Sequence, residues 1–158
     1  MAAMHDLLIA LPPERFANLY RSLDPPLARA LDGAIAQVLH ARVQSVAKQP
    51  ETVRVKALRN WIVRQKDDAV AGDLLRAYFL GPRKALVVQF LDATGTAHED
   101  GQVTDEGKPD PAKVDEAVQA LLAAHDREDV RLYLQIAARQ WADVPAVAKA
   151  LASLDAPA

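Results

Sequence analysis

Apolar positions recur along this chain at helical spacing. Leu27, Leu31, Ala34, Ile35, Val38 and Val46 form one stripe. Val114, Ala117, Val118, Leu121 and Leu122 form a second, and Val130, Tyr133, Leu134, Ala137 and Trp141 a third. Residues three and four apart share a helix face, so each stripe predicts an amphipathic helix with one buried side. The punctuation agrees. Proline is tolerated in a first helical turn, and a preceding Asp can accept from the free backbone N–H groups there.

These signals predict eight helical segments. Pro12-Pro13 opens a short one ending near Ser22. Asp24 caps a second, with Pro25 at its first position and Val46 at its far end. Pro50 opens a third through about Arg64. Asp67 caps a fourth, which stops at Gly81-Pro82, a common terminator. Pro82 starts a fifth that stops at Gly95. Asp110-Pro111 starts a sixth ending at His125. Asp126 caps a seventh, and Asp143 with Pro145 opens an eighth to about Leu154. The tail 155–158 is expected to fray. No repeat of fixed period joins the segments.

Two stretches break the pattern. Lys84-Ala-Leu-Val-Val-Gln-Phe-Leu-Asp is apolar nearly all round and β-branched in its middle. A buried strand reads the same way. Its flanks, Pro82 and Gly95, stand at helix-like separation, so a central helix is the expectation and a small sheet involving 85–91 the alternative. Residues 96–109 are polar, contain two Gly and a Pro, and predict a long loop. Gly33 and Gly72 fall inside predicted helices, where close helix–helix approach would explain them.

The fold expected is all-α: a compact multi-helix bundle or short array of seven to eight helices, in one domain spanning 1–158. Composition supports it. The apolar half of the chain is rich in Ala and Leu, which lose little entropy in helices. At 158 residues, no staple is needed to build a core. There is no cysteine, which removes disulfides, thiolate metal sites and a thiol nucleophile, and fits a cytoplasmic setting. Residues 1–11 lack a basic start and a long apolar run, so no signal peptide is expected. No apolar run approaches membrane-spanning length, so no membrane is expected as a partner.

Charge is uneven. Residues 1–90 carry 13 Lys+Arg against 8 Asp+Glu, and residues 91–158 carry 6 against 13. Such asymmetry marks a basic binding face, or two halves that attract each other. The basic residues concentrate at 42–66, with seven positive residues and Glu51 as the one negative. Val55, Leu58 and Ile62 predict the inner face of that helix. Lys56, Arg59 and Asn60 lie elsewhere on the wheel, and Arg54 and Arg64 extend the candidate surface. Such a face can track phosphates, and Asn60 can contact a base edge. No recognition-helix signature accompanies it, and the pI of about 6.1 is not that of a typical nucleic-acid binder.

His98, Glu99 and Asp100 supply hard ligands in the long loop, but the spacing around Gly101 fails a calcium loop. His98 also lacks the second His of a zinc helix. His5, His40 and His125 are scattered, and His125 suits a helix C-terminus. No nucleophile elbow or phosphate-binding loop occurs, and no cofactor is implied. Trp61, Tyr78, Phe79 and Trp141 are expected mainly in the core, and an exposed Trp61 beside Arg64 would mark a partner surface.

The function expected is non-catalytic protein–protein interaction or regulation. Its candidate surface is Arg54, Lys56, Arg59, Asn60, Arg64, His98, Glu99 and Asp100. One alternative is nucleic-acid binding through segment 42–66. Another is an enzyme whose Asp, Glu and His residues converge from distant helices. Oligomeric state is not encoded in any motif here.

Overall fold

A computed structural model describes residues 3–156. The chain is all-α apart from one two-stranded hairpin. It divides into two compact units, residues 2–81 and 82–158. None of the helices among the described residues is long and apolar enough to cross a membrane.

The first unit contains α1 (Met4–Ile9), α2 (Pro13–Arg21), α3 (Pro25–Ala30), α4 (Asp32–Leu39), α5 (Val43–Val46), α6 (Glu51–Gln65) and α7 (Asp68–Leu80). The longest helix, α6, packs against α1, α2 and α4, and α1 also packs on α7. Leu8, Phe16, Leu19, Ile35, Leu58, Ile62, Leu74 and Leu75 form the dry interior of this unit.

Caps read from the sequence are present. Asp24 accepts from Leu27 N–H at 3.0 Å, and Asp67 from Ala69 and Val70 N–H at 3.0 and 3.1 Å. Met4–Ile9 is helical although its short apolar stretch carried no helix signal.

The long helix expected from Asp24 to Val46 is three helices instead. Leu31 is shared between α3 and α4. His40 then takes a left-handed backbone, φ 52°, and Ala41 N–H reaches back to Ala36 O at 3.1 Å. That is a Schellman-type ending, made with histidine, one of the few non-glycine types enriched in this region. Lys66 also ends α6 with a left-handed backbone, φ 51°, and its N–H donates to Ile62 O at 2.9 Å.

Close helix approach does not explain Gly33 or Gly72. A β-carbon at either position would meet nothing within 4 Å. Gly81 differs, since a β-carbon there would lie 2.7 Å from Ala77 O.

The second unit contains α8 (Lys84–Ala93), β1 (His98–Glu99), β2 (Gln102–Val103), a 3₁₀ turn (Pro111–Lys113), α9 (Val114–Ala124), α10 (Arg127–Gln140) and α11 (Pro145–Asp155). Helix α8 packs on α9, and α9, α10 and α11 pack on one another.

Residues 85–91 are helical, so the alternative of a sheet there is overturned. Leu86, Val87, Phe90 and Leu91 repeat at i, i+1, i+4 and i+5, and all four are buried. Ala85, Asp92 and Ala93 are exposed, so α8 has an outer face after all. Phe90 meets Tyr133 edge-on, with centroids 5.4 Å apart, and Trp141 at 6.4 Å.

Asp126 caps α10 through Glu128 and Asp129 N–H at 2.9 and 3.3 Å. Asp129 is itself buried, and it binds Arg83 Nε at 2.8 Å. Asp143 caps nothing. Val144 precedes α11, and the Asp143 carboxylate grips Lys108 Nζ. The expected fraying does not begin at Asp155, which ends α11. Ala156 N–H still donates to Ala152 O, and Pro157 and Ala158 lie outside the described residues.

Candidate interaction surfaces

Helix α6 follows Pro50, whose fixed φ suits a helix start, and its buried positions are Ala57, Leu58 and Ile62. Val55 is only partly buried. The geometry sorts the five polar residues singled out on this helix into two groups.

Arg54 and Arg59 are structural. Arg54 Nε donates to Gln49 O at 3.2 Å, and its guanidinium lies 5.8 Å from the centre of the Tyr20 ring on α2. Arg59 donates to Ile9 O at 2.6 Å and Leu11 O at 3.4 Å, closing the C-terminal end of α1 where carbonyls lack helical partners.

Lys56, Asn60 and Arg64 stand four residues apart and are exposed, so they form one line along α6. With a rise of 1.5 Å per residue this line is about 12 Å long. No acid is paired with any of the three among the described residues. Glu51, at the start of the helix, is taken by Arg21 at 2.7 Å, which holds the Glu51 carboxyl below the usual range.

Beside the line, Val63 keeps 45% of its surface exposed, unusual for a large hydrophobic in this chain. Trp61 is half-buried rather than core, and its ring N–H donates to Gln37 Oε1 on α4 at 3.2 Å. Tyr78, Phe79 and Trp141 are buried as expected.

In the second unit, His98, Glu99 and Asp100 belong to the hairpin, with His98 opposite Val103 and Glu99 opposite Gln102. The two connecting residues, Asp100 and Gly101, have φ 54° and 91°. Positive φ at both positions is the type I′ turn that suits the strand twist. Asp-Gly is the strongest short signal for such a turn, and the sequence contained it. Its flanks lack the alternating apolar residues that normally accompany it.

His98 is tied at both ring nitrogens, to Asp92 Oδ1 at 2.6 Å and to Gly101 N–H at 3.1 Å. Asp100 grips Lys84 Nζ at the start of α8. Glu99 is exposed.

The other histidines lie apart from this site, and His5 Nε2 also lies 3.4 Å from Asp6 Oδ1. His5 Nδ1 meets Asp68 Oδ1 at 2.5 Å. His125 Nε2 meets Gln89 Oε1 at 2.9 Å, a side-chain tether from α9 to α8. His40 is the left-handed end of α4. No group of three or more His, Asp or Glu residues is placed to hold a metal among the described residues.

Comparisons of the chain with protein-family models, with curated proteins and with solved structures gave no match.

Proposed function

We propose that this chain is a non-catalytic protein-binding domain of regulatory type, acting on an acidic partner through the outer line of α6. The observation that carries the reading is the Lys56–Asn60–Arg64 line itself. Its cations are exposed and unmatched, with half-exposed Val63 beside them, while the neighbouring arginines are spent on internal contacts. Charged groups with an apolar residue at hand are the ordinary make-up of a protein contact. The hairpin tip, with Glu99 exposed and Asp100 held by Lys84, is the second contact in this reading and would meet a basic part of that partner.

The test is charge reversal. Lys56→Glu with Arg64→Glu is expected to abolish capture of partners recovered by the wild-type chain, with unchanged helical circular dichroism. Undiminished capture of every partner overturns the reading.

The alternative, a nucleic-acid-binding domain, draws on the same line with Asn60 at its centre. Internal use of Arg54 and Arg59 leaves it fewer cations for phosphates, and affinity and its salt dependence both scale with those contacts. A salt-dependent mobility shift with mixed DNA and RNA, lost in the same double variant, would favour this alternative.

A further inference from the structure

His98 occupies a position where a second ring proton cannot be added without breaking a backbone contact. Its Nδ1 accepts the Gly101 N–H at 3.1 Å, and its Nε2 faces Asp92 Oδ1 at 2.6 Å. An atom that accepts an N–H must offer a lone pair. The single proton of the neutral ring therefore sits on Nε2 and is donated to Asp92.

Protonating Nδ1 sets an N–H against the Gly101 N–H. The ring keeps its place, because a charged imidazole holds the Asp92 carboxylate more tightly. The amide has to leave. Gly101 is the second central residue of the turn, with φ 91°, and Asp100 is the first, with φ 54°. The turn is thus the part that yields.

Charged groups near the hairpin come from three elements. Asp92 on α8 lies against the ring at Nε2. Lys84, also on α8, is engaged by Asp100. Lys113, from the 3₁₀ turn, reaches the neighbourhood of Gly95 just ahead of β1. Glu99 and Asp100 are the acids of the hairpin itself.

We propose that His98 is a proton-operated latch: its protonation expels the Gly101 amide, opens the Asp100–Gly101 turn and changes how Glu99 and Asp100 are displayed. The opening of the turn stands on its own geometry. Its effect on partner binding rests on the reading of the hairpin as a contact surface.

Amide and ring-nitrogen NMR on the full chain, from about pH 8 to about pH 5, tests the latch. At the alkaline end the ring is expected to be protonated at Nε2 alone. On acidification, protection of the Gly101 amide from exchange is expected to fall in step with titration of His98. In His98→Phe that amide is expected to be unprotected throughout, with no pH step. Asp92→Asn, which leaves Nδ1 intact, is expected to keep the coupling between ring protonation and loss of Gly101 protection.

A ring that titrates while Gly101 protection stays constant overturns the proposal, as does a proton on Nδ1 at the alkaline end. Pull-down across the same range separates the two ideas. A working latch with pH-independent capture removes the hairpin from the contact surface and leaves the latch standing.

Discussion

The indole N–H of Trp141, at the end of α10, donates to the carbonyl oxygen of Gly107 at 3.1 Å. It thereby fixes the second half of the long segment after α8 to the core of its unit. Gly107 is also where that segment presses on itself. A β-carbon there would lie 2.8 Å from Ala97 O, 2.9 Å from Ala97 N and 3.1 Å from Thr104 O. All three atoms are backbone, so none can swing aside.

Gly107→Ala is accordingly expected to destabilise the chain by about 1–3 kcal/mol, the range for forcing extra volume into a packed site. A lower urea midpoint with helical circular dichroism retained would show it. An unchanged midpoint would mean that the segment yields freely at this point.

Gly72 gives the opposite expectation. It lies inside α7 with open space where a β-carbon would go. Gly72→Ala should stabilise by up to about 1 kcal/mol, through helix propensity and a less flexible unfolded chain. Urea unfolding measures the gain directly.

The two groups of basic residues on α6 should separate under alanine substitution. Arg59→Ala removes a charged donor from the end of α1 and should cost about 2 kcal/mol. Lys56→Ala and Arg64→Ala should stay within about 0.5 kcal/mol of wild type, as exposed positions without partners do. Thermal and urea melts of the three variants provide the comparison. Equal losses at all three would remove the distinction between structural and free cations.

Tyr133 supplies an alkaline limit. Burial pushes its phenol well above the ordinary value of 10.0. The native state therefore keeps a proton that the unfolded chain releases, so stability is full below the unfolded value and is lost as pH rises past it. The urea midpoint of the wild type should fall above about pH 10 more steeply than that of Tyr133→Phe. Parallel profiles for the two proteins would count against a neutral, buried phenol.

The helix starts were the most legible part of the sequence. Asp24, Asp67, Asp110 and Asp126 all accept backbone N–H groups at helical or 3₁₀ starts, because a short carboxylate beside a first turn has one evident use. Asp143 shows where that reasoning fails. Lys108 is a competing partner 35 residues away, and nothing local announces it.

Helix ends were less legible. His40 adopts a left-handed backbone that glycine would have advertised, so the break after Leu39 leaves no mark in residue type, whereas α6 ends at Gln65, within a residue of the expected stop near Arg64. Periodicity could place Lys56, Asn60 and Arg64 on an outer face. It could not tell that Arg59, on the same helix, reaches α1. That depends on the length of a side chain and on a neighbour 50 residues away.

The segment between α8 and α9 looks like a loop in composition, yet it is fastened along its whole length. Asp92 holds His98, Lys84 holds Asp100, Trp141 holds Gly107, Asp143 holds Lys108, and Asp110 N–H returns to Thr94 O at 2.9 Å. Its dynamics should follow from that. A segment tied at five points to α8, α10 and the start of α11 has no low-energy way to detach alone, so it belongs to the same cooperative unit as those helices. Proteases that attack unstructured linkers should leave residues 96–110 intact until residues 82–158 unfold as a whole.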